Sequence, residues 1–160
     1  MIIKTKLSEK EFTDASLATI WSRKYLRVFL LVFLFILVIN LFNSTLAEAS
    51  LIPSVLPPIF IFGGLFFVFR YSFKKAYQKS YRASENIEYN FTDSHLLITG
   101  ESFNSEMTWS KIYKVTKTKK WLLVWHSSQI ANAIPLRLIS SEDLNNLKNI
   151  MQNNNTKNNL

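Results

Sequence analysis

The residue types that most often carry out chemistry are few in this chain, and their spacing does not suit it. His95 and His126 fall in or beside predicted turns, and the chain has no cysteine to join them in a metal site. Asp93, Ser94 and His95 are the residue types of a hydrolytic triad, but neighbours in one turn cannot adopt its spatial arrangement. We therefore predict no catalytic residue and no metal ligand. A membrane-bound hydrolase would require His95 or His126 to be essential.

Glycine-rich phosphate loops are also missing from the sequence. Its 160 residues include three glycines, which is too few for a phosphate loop or a dinucleotide-binding fingerprint. No cofactor is predicted, and we expect a protein that is not an enzyme.

A group of lysines is the one candidate binding surface in the sequence. Its members are Lys111, Lys114, Lys117, Lys119 and Lys120. They could bind acidic lipid or an acidic protein partner. The alternative is a solvated strand face, since lysine is usually exposed and also protects sheet edges. Trp121 and Trp125, which follow the lysines, are predicted to be core residues rather than a platform for a ligand.

The net charge of +8 suggests nucleic-acid binding until its distribution is considered. Residues 1–84 contain eleven Lys and Arg against four acidic residues, whereas residues 85–160 contain eight against seven. The excess positive charge therefore belongs to the part of the chain around its apolar segments. A basic collar of this kind is attracted to anionic headgroups, so we predict contact with membrane lipids and no binding of nucleic acid.

Two apolar runs, residues 25–42 and 51–69, are long enough to cross a bilayer. At about 1.5 Å per helical residue, each approaches the thickness of a hydrocarbon core of about 30 Å. Together they predict a transmembrane hairpin over residues 25–70, with a turn between the runs. One alternative is a cleaved secretory signal, with a small-x-small pattern at residues 47–49, but the first run starts late and is too long. The other, a pair of soluble core helices, conflicts with their continuous apolarity.

The flanking charges predict the orientation of this hairpin. The predicted membrane-interface anchors are Arg23, Lys24, Arg27, Arg70, Lys74 and Lys75. Because cytoplasmic loops are rich in Lys and Arg, both termini are predicted to be cytoplasmic in a multi-pass protein of the inner (cell) membrane. Gly63 and Gly64 permit close approach of another helix, which allows a homo-oligomer.

The segments that flank the hairpin also have clear patterns. Residues 1–24 predict a short strand and an amphipathic helix, because Ser8 and Glu11 form a capping-box pattern. The strand would lie on the same side of the membrane as the C-terminal domain, and could pair with an edge of its sheet. Residues 71–84 predict a basic helix that continues out of the membrane.

Residues 85–152 predict a small antiparallel sheet closed by a C-terminal helix, which is an α+β layout. Alternating apolar residues indicate six strands, at residues 87–91, 96–98, 103–109, 112–118, 119–126 and 129–134. The fifth strand is apolar on both faces, which favours a place in the middle of a sheet. Ser140 or Ser141 is predicted to cap the helix. The Asn-rich residues 153–160 are predicted to be disordered.

Five short motifs lie in the same region. They are YNF at 89–91, MTWSKIYKV at 107–115, WLLVW at 121–125, AIPLR at 133–137 and SSEDL at 140–144. Together they resemble the YcxB-like C-terminal domain of small bacterial membrane proteins. In that family a two-span hairpin precedes a domain that looks like a bacterial pleckstrin-homology (PH) fold. The resemblance implies a PH-like fold here, and it implies no catalytic residues.

Two functional hypotheses follow from these patterns. The first is a non-enzymatic integral membrane protein whose cytoplasmic PH-like domain acts as a protein-interaction or anionic-lipid-sensing module. Its partners would be membrane lipids and another membrane or cytoplasmic protein. The alternative is an immunity or transporter-accessory protein that acts through its transmembrane helices. In that function Asn40, Gly63 and Gly64 would matter and the lysines would not.

Overall fold

The computed structural model describes residues 1–46 and 52–160. Much of the predicted turn between the apolar runs therefore lies outside the described residues. The described chain folds into helices and two sheets, so the α+β class is confirmed. The helices are α1 (Glu9–Trp21), α2 (Lys24–Leu46), α3 (Ile52–Lys79) and α4 (Ser141–Asn153). The strands are β1 (Ile2–Thr5), β2 (Ile87–Phe91), β3 (His95–Thr99), β4 (Asn104–Thr108), β5 (Lys114–Lys117), β6 (Trp121–Trp125), β7 (Ala131–Pro135) and β8 (Asn158–Asn159).

Local sequence explains where several of these elements begin. Ser8 caps α1 in a capping box, in which Glu11 N donates to Ser8 Oγ at 3.3 Å and Ser8 N donates to Glu11 Oε2 at 3.1 Å. Ser140 caps α4 by accepting a hydrogen bond from Asp143 N at 3.0 Å. The six strands predicted between residues 87 and 134 are present as β2 to β7, and this prediction is confirmed.

The first sheet has the strand order β1-β2-β3-β4, and each neighbouring pair is antiparallel. In its first pair, Ile2 lies opposite Asn90 and Thr5 lies opposite Ile87. The predicted pairing of the N-terminal strand with a sheet edge is therefore confirmed. Because β1 and β2 lie on either side of α1, α2 and α3 in the chain, their pairing ties both ends of the helical segment to one domain.

The main core lies between the first sheet, the second sheet and α4. The second sheet has the strand order β7-β6-β5-β8. The fully buried side chains of this core are Phe91, Leu96, Trp109, Val115, Leu122, Val124, Ile134, Leu147 and Met151. Burial of each such side chain contributes about 1.5–3 kcal/mol. The two sheets and α4 are therefore held together mainly by apolar contact.

The strand β6 is buried on both faces, because α1 covers the face that the main core does not. Trp121, Leu123 and Trp125 pack against α1 around Ala15, while the intervening residues face the core. Trp125 Nε1 donates a hydrogen bond to Thr116 Oγ1 at 2.9 Å. Two predictions are thereby confirmed: β6 lies between β5 and β7, and its tryptophans are core residues.

The prediction of a disordered tail at residues 153–160 is wrong. Asn155 has a φ of 51°, a left-handed conformation that asparagine tolerates and that turns the chain after α4. The backbone N–H of Val115 donates to Lys157 O at 2.8 Å, and β8 pairs with β5 in parallel. Thr156 is buried. The tail has little apolar surface of its own, but the open backbone groups of β5 supply its partners.

The helix α2 fits a membrane span. Its segment Lys24–Asn43 has a mean hydropathy of 2.6, and none of it is buried. Among the residues that the structure describes, this is the one helix long and apolar enough to cross a membrane. α3 packs beside α2, and the ring centroids of Phe33 and Phe62 are 4.4 Å apart. The second span of the predicted hairpin stays a prediction.

The predicted basic helix at residues 71–84 is confirmed as far as Lys79, where α3 ends. Tyr81–Ser84 then form a 3-10 turn that leads toward β2. The apolar run and the basic segment therefore belong to one continuous helix, α3, which begins at Ile52 and ends at Lys79.

Gly100, between β3 and β4, is required by a close approach. A Cβ at this position would collide with the ring of Phe103 and lie 2.7 Å from Glu85 Oε2. We expect Gly100→Ala to lower the free energy of unfolding by about 1–3 kcal/mol, as overpacking does. Thermal unfolding of the purified protein, followed by circular dichroism, would then show a lower midpoint.

Gly63→Ala is the matched control, because among the described residues outside its own helical turns no heavy atom lies within 4 Å of a Cβ added there. This variant should keep the midpoint or raise it slightly, since alanine favours a helix over glycine by up to about 1 kcal/mol. Equal midpoints for the two variants would show that the Phe103 ring moves aside freely, contrary to this prediction.

Candidate functional site

The five predicted lysines do not form one surface. Lys114 and Lys117 lie on opposite faces of β5, since side chains alternate along a strand. Lys114 is opposite Trp125, which faces α1, and Lys117 is opposite Leu122, which faces the main core. The regular spacing in the sequence suggested that the lysines share one face. The alternation of side chains along β5 instead places Lys114 and Lys117 on opposite faces.

The lysines also lie at two different ends of the second sheet. Lys111 and Lys114 lie at the end that carries the β6–β7 hairpin. Lys117, Lys119 and Lys120 lie at the opposite end, where β5 turns into β6. The two groups are therefore separated by about the length of a short strand, which rises about 3.3 Å per residue.

The helix α1 decides which end of the second sheet lies next to the apolar helices. Near its start, Glu11 forms an ion pair with Arg137. Just beyond its end, Arg23 Nη2 donates a hydrogen bond to Gln129 O at 2.8 Å. Gln129 belongs to the β6–β7 hairpin, and α2 begins at Lys24. The hairpin therefore lies directly beside the start of the apolar helix.

We call this end of the second sheet the hairpin edge. It consists of Lys111, Tyr113, Lys114, Gln129 and Ile130. Ile130 is 64% exposed and Tyr113 is 49% exposed. The ammonium group of Lys114 lies 4.7 Å from the centroid of the Trp125 ring and 5.8 Å from that of Tyr113. Exposed apolar and aromatic groups combined with cations are typical of side chains at a membrane–water interface.

Some of the predicted membrane anchors make contacts within the protein. Arg70 Nη1 lies 3.7 Å from Asp14 Oδ1, and Lys74 Nζ lies 3.2 Å from Glu9 Oε1. Arg23 binds the β6–β7 hairpin. The other predicted anchors are exposed: Lys24, Arg27 and Lys75. The predicted anchors therefore divide into residues that contact α1 or the β6–β7 hairpin and residues that stay exposed.

Further contacts fix α1 against α3. Tyr77 Oη donates to Leu7 O at 2.9 Å, and its ring centroid lies 5.6 Å from that of Phe12. Gln78 Nε2 donates to Glu9 Oε2 at 2.9 Å. We call these contacts of Tyr77 and Gln78 with Leu7, Glu9 and Phe12 the α1 clamp. The sequence predicted α1 but not its partners, because contacts between residues 70 positions apart leave no local periodic signal.

The YcxB-like protein family matches residues 91–151. Residues 91–151 form a YcxB-like domain. The match begins at the last residue of β2 and ends inside α4, so it leaves out α1, α2 and α3. The family resemblance of the sequence motifs is confirmed. No curated protein and no solved structure matches the chain.

The histidines of the YcxB-like domain have separate partners. His95, on β3, has its Nδ1 2.9 Å from Ser94 Oγ and 3.7 Å from the carboxylate of Glu106. His126 follows β6. Burial lowers the pKa of His126, and its Nδ1 lies 2.9 Å from Met107 Sδ. In the described part of the chain, no group of three or more His, Cys, Asp or Glu residues could hold a metal ion.

The sequence analysis missed the two apolar residues of the hairpin edge in the YcxB-like domain. It placed Tyr113 and Ile130 inside strands, whereas the structure leaves them just before β5 and β7. The available signal for Ile130 was a large apolar residue at the very start of the predicted strand 129–134.

Glu11 makes the contact between α1 and the YcxB-like domain dependent on pH. The guanidinium of Arg137 is the main cause that holds the pKa of Glu11 below its ordinary value of 4.5, and hydrogen bonds from Ser8 add to the effect. This stabilisation is complete above pH 4.5 and is lost as the pH falls through the lowered pKa. Glu11→Gln should therefore remove most of this acid dependence.

At neutral pH, Glu11→Gln should lower the free energy of unfolding by about 0.2–1 kcal/mol, the range for an exposed ion pair. Glutamine can keep the capping box with Ser8. Thermal unfolding at neutral and acidic pH measures both effects. Glu142→Gln, at an exposed position in the first turn of α4, is the control and should keep the wild-type acid dependence. The prediction fails if Glu11→Gln also keeps the wild-type acid dependence of unfolding.

Proposed function

We propose that this protein is a non-enzymatic integral membrane protein. Its YcxB-like domain, with a PH-like fold, would sense anionic lipid or bind a protein at the cytoplasmic face of the inner (cell) membrane. α2 and the apolar first part of α3 would form a two-span hairpin with both termini cytoplasmic. Composition supports the second span, because residues 51–69 carry no charge and Arg70 follows them directly.

The observation that carries this proposal is the hydrogen bond between Arg23 and Gln129, at 2.8 Å. Arg23 immediately precedes α2, so it lies at the membrane surface if α2 crosses the bilayer. The hairpin edge then lies at the same surface. Ile130 would enter the interface, and Lys111 and Lys114 would meet anionic headgroups, at about 1 kcal/mol each.

The lysines at the opposite end of the second sheet would have a different role. Lys119 and Lys120 line a groove of about 420 Å³ that also contains Glu11, Asp14 and Arg137. Most of this groove would lie farther from the bilayer than the hairpin edge, although Asp14 on its wall pairs with Arg70. Its mixed charge is better matched by a protein surface with charges of both signs than by anionic headgroups.

The contact of the hairpin edge with the membrane can be tested with spin labels, since the chain has no cysteine. Ile130→Cys would be labelled with a nitroxide in the full chain, in lipid nanodiscs. The label should be accessible to oxygen and shielded from a water-soluble nickel chelate. A label on Lys117→Cys, at the opposite end of the sheet, should show the reverse. Equal exposure of the two labels to the chelate would contradict the membrane contact.

Charge variants test the lipid preference. With Lys111→Gln and Lys114→Gln together, about 2 kcal/mol of headgroup attraction would be lost. Shielding of the Ile130 label should then decrease in nanodiscs that contain phosphatidylglycerol, and should not change in phosphatidylcholine alone. The matched pair Lys119→Gln and Lys120→Gln should have no effect. If both pairs act equally, only net charge matters and the hairpin edge is not the lipid site.

A second candidate function rests on α3. Among the described residues, no heavy atom lies within 4 Å of a Cβ added to Gly63 or Gly64, so both positions are open to another helix. The protein would then be an immunity or transporter-accessory protein that binds a membrane partner, or a second copy of itself, through α3. Asn40 would contribute less, because its amide donates to Ile36 O at 2.8 Å within α2.

Photo-crosslinking in native membranes distinguishes the two functions. If the proposed function holds, a probe at Lys111 captures a discrete protein or anionic lipid, and a probe beside Gly63 captures no membrane protein. Capture of a membrane protein by a probe beside Gly63, with only lipid captured from Lys111 and Lys117, would favour the second function.

A further inference from the structure

A cavity of about 300 Å³ lies between α1 and the YcxB-like domain. It is open to solvent on one side and is lined by α1, the Tyr81–Ser84 turn, β2 and β7. Its apolar walls are Leu7, Phe12, Ala15, Phe103, Ala131 and Ala133. The cavity shares no residue with the hairpin edge, so it is a different site from the proposed lipid contact.

Tyr89 offers the cavity a hydrogen-bond donor that the protein itself does not use. Its side chain lines the cavity and is 4% exposed. Among the residues that the structure describes, none forms a hydrogen bond with its hydroxyl. Burial raises the pKa of Tyr89 to about 12, so the phenol stays protonated near neutral pH. The hydroxyl oxygen itself reaches the open space of the cavity, where it can donate to water or to an acceptor on a bound molecule.

Arg82 gives the cavity its charge. It belongs to the Tyr81–Ser84 turn, and its guanidinium carbon lies 5.4 Å from the centroid of the Phe103 ring. In the described part of the chain it forms no ion pair, and no Asp or Glu lines the cavity. The carboxylate of Glu85 does not line the cavity and accepts a hydrogen bond from Ser102 N at 3.1 Å. Hydrogen bonds from Ser102 are the main cause that lowers the pKa of Glu85, and the charge of nearby Arg82 adds to the effect. A cavity with a cation and no acid favours an anion.

We propose that this cavity binds a small organic anion, a carboxylate or phosphate monoester with an apolar body. Its acidic group would pair with Arg82, whose planar guanidinium matches two oxygens at once. The same group would accept a hydrogen bond from Tyr89. The apolar body would lie between Phe12 and Phe103. Ligand cavities usually measure about 300–1,000 Å³, so this one lies at the small end of the range and excludes a diacyl phospholipid.

Such a ligand would contact α1 and the YcxB-like domain at the same time. Phe12 belongs to α1, whereas Tyr89 belongs to β2. Because the ligand binds only when both walls are in place, it stabilises the docked position of α1 by RT ln(1 + c/Kd), where c is the free ligand concentration. This site depends on Arg82 and Tyr89, and the proposed lipid contact depends on Lys111 and Lys114, so either can fail without the other.

The cavity is tested with a single cysteine in the full chain, in phosphatidylcholine nanodiscs. Ser16→Cys places a thiol on the cavity wall, and Ser72→Cys places one on the exposed surface of α3 as a control. The rate of modification by a water-soluble maleimide is measured with hexyl phosphate, inorganic phosphate or hexanol. Hexyl phosphate at about ten times its Kd should slow modification at position 16 about tenfold. The other two probes should have little effect there, and no probe should protect position 72.

Variants of the two polar residues identify the contacts. Arg82→Gln should weaken protection by hexyl phosphate roughly tenfold or more, as expected for loss of a charge-assisted hydrogen bond. Tyr89→Phe removes only the hydroxyl and should weaken protection by hexyl phosphate by a smaller factor. Lys148→Gln, at an exposed position of α4 outside the cavity, removes a positive charge as a control and should leave protection unchanged.

Three outcomes would overturn the proposal. Equal protection by hexanol and hexyl phosphate would show that only the apolar body is recognised. Protection by none of the three probes would show that the cavity does not bind this class of molecule. Equal affinity for hexyl phosphate in the wild-type background and in Arg82→Gln would remove the role assigned to the arginine.

Discussion

The packing of α1 against the outer face of β6 is the contact on which the rest of the structure depends. Without α1, the side chains of Trp121, Leu123 and Trp125 would be exposed to water, at about 25 cal/mol per Å² of apolar surface. The main core cannot cover them, because it already occupies the opposite face of β6. The other side of α1 holds α3 through the α1 clamp. One helix therefore joins the domain to both apolar helices, and the position of the hairpin edge follows from that junction.

The two ends of the described chain complete the two sheets. β1 extends the first sheet beyond β2, and β8 extends the second sheet beyond β5. An uncovered edge would present a row of unpaired backbone groups, which is a common starting point for aggregation. The family match over residues 91–151 contains neither of these strands. In this protein the YcxB-like segment is thus completed by residues on both sides of it, and the N-terminal segment also supplies one wall of the anion-sized cavity.

Local patterns in the sequence were sufficient for the individual elements. Ser8 and Glu11 are three positions apart, and their capping box starts α1 as predicted. The alternation of apolar residues located the strands from β2 to β7, and the double apolar face of Trp121–Trp125 placed β6 inside its sheet. Each of these features depends on residues within a few positions of one another. The sequence by itself therefore determined the α+β class and the apolarity of α2.

Only the tertiary structure decided how distant residues meet. The lysines at 111, 114 and 117 look equivalent in the sequence, but strand alternation and register send them to different faces and ends of the second sheet. The tail beyond α4 is ordered because β5 offers it backbone partners. Arg23 meets Gln129 across 106 positions. The free energy of these contacts comes from burial and from pairing between segments far apart in the chain, and no local window of sequence contains both members of such a pair.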